Sequence, residues 1–278
     1  MWSLASILVS ASNVGTSMFT KMASREQMNT DTMKFNVWRS GVALLLFVVL
    51  WIWGLEIHIP TIIHGSVYGI SLFFSSYYGY MALKNGSMAI TSLIVSYSVV
   101  MPCLYGIIFL NENVGLLRAA GILMLLVSMY LLNKQAQELK FSKKWLIYVV
   151  ITFLCNGFNS INQKIHQTVY PSQYCKEYIV YAFVVITVLF FVVSVVKKGN
   201  NGNSCIKCAV PAGIFMGLAN YLPLVLSAKV DATVLFPLIT IFGMIFNVTI
   251  SKFLFKDKFS ILQIVGIAVG VASVLLIK

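Results

Sequence analysis

The sequence predicts an all-α membrane protein whose ten transmembrane helices form two inverted five-helix repeats, and three observations predict it. The 278-residue chain is 59% hydrophobic and only 10% charged, whereas a soluble domain carries roughly 25% charged residues. Its mean hydropathy is +0.88. Apolar runs near the ~20 residues that cross a bilayer recur along the whole chain. Finally, residues 78–132 overlay residues 223–277 without a gap, pairing Gly121 with Gly266, Glu112 with Asp257 and Lys84 with Lys229.

The spans are read at 3–20, 34–54, 63–83, 87–110 and 115–133, then at 144–165, 174–196, 206–228, 231–255 and 258–277. Runs such as VALLLFVVLWIW and YAFVVITVLFFVV do not alternate, so they are helices that satisfy their own backbone rather than barrel strands. The first span lacks a basic leader and a cleavage site and is expected to belong to the fold. It carries Ser10, Ser12, Asn13, Thr16 and Ser17, with Asn13 and Ser17 on one face. The second, fifth, seventh and tenth spans are almost wholly apolar past their ends, with Ser128, Thr187, Gln263 and Ser273 the exceptions, and are assigned to the lipid-facing shell.

The third span opens on the pair Gly65 and Gly69, read as close helix packing, and carries Ser75, Ser76, Tyr77, Tyr78 and Tyr80. The fourth holds Thr91, Ser92, Ser96, Tyr97 and Ser98 ahead of Pro102. A hydrophilic linker, 134–143, separates the first repeat, 1–133, from the second, 144–278. The sixth span brings Asn156, Asn159, Ser160, Asn162 and Gln163; a shift of 143 pairs Asn156 with Asn13, Ser160 with Ser17 and Lys164 with Lys21. In the eighth, Gly213 and Gly217 repeat the small-residue spacing, and Pro211 and Pro223 flank Asn220 and Tyr221. An interruption is expected there, where exposed backbone meets a substrate. The ninth contributes Thr233, Pro237, Thr240, Asn247 and Thr249.

The net charge of +12 belongs to the loops of a membrane protein rather than to nucleic-acid binding. Sorting the basic residues by face gives fifteen on the side of the loops after odd-numbered spans and five on the other. The positive-inside rule then makes the richer face cytoplasmic and puts both termini outside. An odd number of helices per repeat forces the second repeat to enter the membrane upside down. That architecture lets a central site open alternately to either side.

Chemistry other than binding finds little support. The eight acids sit at loops or helix ends, so no carboxylate stands at mid-membrane as a proton-coupled exchanger would require. His58, His64 and His166 show no metal-ligand spacing, and the lone pair Cys205 and Cys208 lacks a second cysteine pair for zinc. No nucleophile motif or phosphate loop occurs. No catalytic residue, cofactor or metal is expected.

Buried polar groups in lipid need a partner, water or a solute, so the polar spans mark a cavity. The candidate substrate-binding set is Asn13, Ser17, Tyr78, Ser96, Tyr97, Asn156, Asn159, Asn220, Tyr221 and Thr240. Hydrogen bonding between helices is the competing role for each.

Alanine, leucine and lysine closing the third span, the acid Glu112 after the fourth and Gly121 in the fifth resemble the drug/metabolite transporter superfamily, EamA type. Lys21, Arg39 with Ala43, Ser128, Lys229, Asp257, Gly266 and Ser273 add to the resemblance. It implies a basket of ten helices, a central cavity lined by spans one, three, four, six, eight and nine, alternating access, and cytoplasmic termini, against the charge count. The function expected is secondary transport of a small amphipathic metabolite such as an amino acid, by a monomer or homodimer in a bacterial plasma membrane. The alternative is a non-transporting membrane protein that binds a metabolite or lipid head group.

Overall fold

The structure is a computed structural model that describes residues 2–25, 28–51, 54–86, 88–112, 115–133, 142–196, 204–255 and 261–277. Most of the expected linker, residues 134–141, lies outside them, as do Asp257, Glu26 and Glu138. Every element among the described residues is a helix: α1 (Trp2–Ala23), α2 (Thr32–Trp51), α3 (Ile59–Asn85), α4 (Met88–Ser96), α5 (Val100–Phe109), α6 (Leu116–Asn133), α7 (Lys143–Val169), α8 (Cys175–Val196), α9 (Ile206–Ser227), α10 (Ala232–Phe255) and α11 (Ile261–Ile277). Local chemistry sets several starts. Asp31 Oδ1 accepts the N–H of Met33 and Lys34 ahead of α2, Pro60 stands in the first turn of α3, and Ser142 accepts from Trp145 N–H at α7.

Two spans differ from the sequence reading. The fourth is not one helix, because a 3-10 turn at Tyr97–Val99 separates α4 from α5. Pro102 offers no N–H to the carbonyl of Ser98, and the chain tightens just before it. The eighth, by contrast, runs unbroken through Pro211 and Pro223 as α9. The interruption expected beside Asn220 is absent, and the carbonyl of Asn220 instead accepts Gln163 Nε2 at 2.9 Å. The carbonyl that Pro223 leaves without an intrahelical N–H is that of Ala219, one residue earlier, and the helix runs on past it.

Helices α2, α8, α9 and the long α7 are both long and apolar enough to cross a membrane, while Ile94–Phe109, Ala119–Ser128 and Ala232–Asn247 are shorter apolar stretches. Leu45, Val49, Leu117, Val188 and Phe191 are more than half exposed on the outside of the bundle, as side chains facing acyl chains would be. Helix α2 is not purely a shell element: Phe35, Asn36, Arg39, Ser40 and Ala43 are buried on its inner face.

Packing between the two halves follows a pattern of exchange. The contact of α1 with α9 has its counterpart in α3 with α7, that of α2 with α9 in α3 with α8, and that of α1 with α10 in α4 and α5 with α7. The pairs α2 with α8, α6 with α11, and α10 with α4 and α5 are their own counterparts. Glycines permit the closest of these approaches. A Cβ on Gly65 would stand 2.8 Å from the carbonyl oxygen of Tyr178, and one on Gly69 2.6 Å from that of Ala182, both on α8. One on Gly213 would stand 2.5 Å from the carbonyl oxygen of Arg39 on α2. Close packing is therefore what both small-residue pairs do.

Lys21 and Lys164, counted above as loop charges, reach back into the fold. Lys21 Nζ donates to the carbonyls of Leu83 and Gly86 at 2.6 and 2.7 Å. Lys164 Nζ donates to those of Ser227 and Val230 at 3.3 and 3.0 Å. Each lysine thus closes the C-terminal end of an inner helix, where its charge favours the helix dipole. Lys164 also pairs with Glu112 at 3.4 Å. That carboxylate accepts the backbone N–H of Ala232 and both the N–H and hydroxyl of Thr233, so it caps α10.

Candidate functional site

The inner helices enclose a cavity of about 330 Å³ lined from α1, α2, α3, α4, the 3-10 turn, α7, α9 and α10. Hydroxyl and amide residues of these helices share the wall with apolar ones such as Val14, Leu72 and Ile239. Seven of the ten candidate residues meet on its wall: Asn13, Ser17, Ser96, Asn156, Asn159, Asn220 and Thr240. Three tyrosines do not. Tyr78 packs 5.8 Å from the ring of Tyr148, one position round the helix from the lining residue Gly79. Tyr97 is packed in an apolar cluster with Val9, Val99 and Leu226. Tyr221 sits against Phe47 and Trp51 at 5.6 and 4.9 Å, on the α2 side of α9.

Hydrogen bonds divide the wall into braced and open groups. Tyr68 hydroxyl donates to Asn220 Oδ1 at 2.5 Å and accepts from Gln163 Nε2 at 3.0 Å, tying α3, α7 and α9 together. Ser75 hydroxyl donates to Asn156 Oδ1 at 2.5 Å. Ser96 and Thr240 turn their hydroxyls back onto the carbonyls of Ser92 and Phe236, which occupies the proton and leaves the oxygen able to accept. Asn13 is exposed to the cavity. Asn159 and Asn247 are buried with side-chain oxygens that no donor reaches. A buried amide oxygen left open is costly unless a guest supplies the donor.

Arg39, Tyr68, Gln163 and Asn247 also form the wall; Gln163 and Asn247 belong to the polar spans read as marking the cavity but not to the candidate set, and the sequence reading does not place Arg39 and Tyr68 there. Arg39 was counted among the loop charges, yet it lies eight residues into α2 and is only 4% exposed. Gln163 could have been found, since it follows Asn156 and Asn159 at helical spacing. The three histidines, scattered in sequence, gather at one end of the bundle, where Thr61 hydroxyl bridges His58 Nδ1 and His166 Nε2 at 2.8 and 2.9 Å. Among the described residues no cluster of His, Cys, Asp or Glu could hold a metal ion.

A glycine gives the cavity a direct test. Gly243 lines it, and an added Cβ there would meet nothing within 4 Å. Gly243→Leu is expected to fold with an unchanged melting temperature while filling the space. A solute that binds in the cavity should then bind at least about tenfold more weakly, which corresponds to about 1.4 kcal/mol.

A helical bundle with apolar outer faces, around a cavity whose described lining carries no Asp or Glu, points to an integral membrane protein. Residues 1–134 match the EamA-like transporter family, which is part of the drug/metabolite transporter superfamily. In all, 29 chains of solved structures match the fold. One, described only as "Crystal structure of protein", has a TM-score of 0.73 at 14% identity, over 99% of this chain and 98% of that one. At that identity the likeness is one of fold. No curated protein matches the chain.

Proposed function

We propose that the protein is a secondary transporter that carries a small amphipathic metabolite such as an amino acid by alternating access through the central cavity. The observation that carries this reading is that both halves contribute to one polar cavity, α1 to α4 from the first and α7, α9 and α10 from the second. The exchange pattern of contacts between the halves supports an inverted pair of five-helix repeats, with the boundary in the 134–143 segment. Rocking one half against the other about such an axis would expose the cavity first to one side and then to the other. The working form is a monomer or homodimer in the plasma membrane of a bacterium, with the basic face toward the cytoplasm. Flux of labelled metabolites into vesicles containing the purified protein tests the reading. Stoichiometric binding without protein-dependent flux for any bound compound would refute it in favour of a binding protein.

Asn13 and Asn156 should part company under mutation. Asn13 stands open to the cavity, so Asn13→Ala is expected to weaken solute binding by about 1–2 kcal/mol and leave the melting temperature unchanged. Asn156 accepts from Ser75, so Asn156→Ala strips that hydroxyl of its partner and should lower both affinity and melting temperature. Equal effects of the two substitutions on stability would contradict this division.

A further inference from the structure

Among the described residues Arg39 is the one cation lining the cavity, and no Asp or Glu joins it there. It is 4% exposed. Its Nη1 donates to Thr20 hydroxyl at 3.2 Å, and the guanidinium lies 5.6 Å above the ring of Phe35. Nε is buried with no acceptor, and among the described residues no carboxylate comes within ion-pair distance of the group. A guanidinium has five N–H donors in a rigid fork suited to two oxygens of one anion. Left without an anion in an apolar bundle, such a charge is among the costliest groups a membrane protein can hold.

We propose that Arg39 is the anchor for the carboxylate of the transported solute, which makes that solute an organic monoanion or zwitterion. The proposal rests on the transport reading and narrows its substrate class. One fixed positive charge matches one carboxylate, whereas a doubly charged phosphate would leave a negative charge uncompensated. The rest of the wall fits the other end of such a molecule. The side-chain oxygens of Asn159 and Asn247 are buried and unpaired, and they call for N–H donors on the guest. A molecule with a carboxylate and an amino group satisfies both requirements.

The test uses the purified full-length protein and a panel of amino acids, each beside its carboxamide and its decarboxylated amine, with chloride and inorganic phosphate as further probes. At least one amino acid is expected to bind about 10- to 100-fold more tightly than its carboxamide. In Arg39→Gln that advantage should vanish while carboxamide affinity stays the same, and Arg39→Lys should keep part of it. Unliganded Arg39→Gln should melt no lower than the wild type, because removing an uncompensated charge offsets the lost contact with Thr20. A markedly lower melting temperature would overturn the proposal by making Arg39 a structural brace. So would equal affinity for acid and carboxamide, Arg39-dependent binding of chloride or phosphate alone, or no binding by any probe. Flux separates the two readings. A neutral or cationic solute carried equally by wild type and Arg39→Gln sinks the anchor and leaves transport standing. Arg39-dependent binding of acids without any flux upholds the anchor and sinks transport.

Discussion

Replacing Glu112 with alanine is expected to destabilise the folded protein by about 3–5 kcal/mol, the usual cost of orphaning one member of a buried ion pair. The side chains of Lys164 and Glu112 are 10% and 6% exposed, so water cannot take over the vacated partnership. The same carboxylate holds two N–H groups and a hydroxyl at the start of α10, and the substitution therefore also uncaps that helix. A fall in melting temperature of the purified protein checks the expectation. Glu112→Gln combined with Lys164→Met should recover part of the loss, since no lone charge then remains; equal melting temperatures for wild type and Glu112→Ala would refute the account. Acidity should act on the same bond. Burial raises the Glu112 pKa, but the hydrogen bonds from Thr233 and Ala232, with the charge of Lys164, outweigh it and hold the pKa below the ordinary carboxylate value of 4.5. A lowered pKa stabilises the fold above that ordinary value, and the contribution drains away as pH falls through the folded-state pKa.

Gly213→Leu is expected to be nearly as damaging, at about 3 kcal/mol, the upper range for overpacking. The atom its Cβ would strike is a backbone oxygen, that of Arg39 at 2.5 Å, which cannot rotate aside as a flexible side chain would. Helix α2 would have to retreat from α9, and Arg39 would move with it. Loss of stability should therefore come with loss of solute binding, in contrast to Gly243→Leu, where the two separate. Melting and binding measured on both variants decide the matter: a Gly213→Leu protein with wild-type values in both would remove the tight contact from the account.

Much of this was readable from residue order, for identifiable reasons. Helix positions followed from hydropathy because lipid permits few alternatives to a helix. The small-residue pairs were legible as packing motifs, since a glycine pair four apart has one main use in a membrane. Asn13, Asn156, Asn159 and Asn220 reached the cavity wall because an amide in a span has few other places to go. Tyr78 and Tyr221 were misread because a tyrosine ring packs as well against other rings as against a solute. Arg39 was hidden by its nearness to the start of α2, where a basic residue ordinarily reaches water. The continuity of α9 through Pro223 was invisible too, since a proline within a helix either kinks or breaks it and residue order does not tell the two apart.

The densest packing in this protein runs between its halves rather than within them, and this bears on how the chain is made. As the helices of the first half leave the ribosome they have little of their own to lean on. Gly65 and Gly69 await α8, and the polar face of α1 awaits α9 and α10. Until α7 to α10 are inserted, these surfaces lie open to lipid or to the insertion machinery, and maturation must run through a half-built intermediate that depends on timely synthesis of the rest.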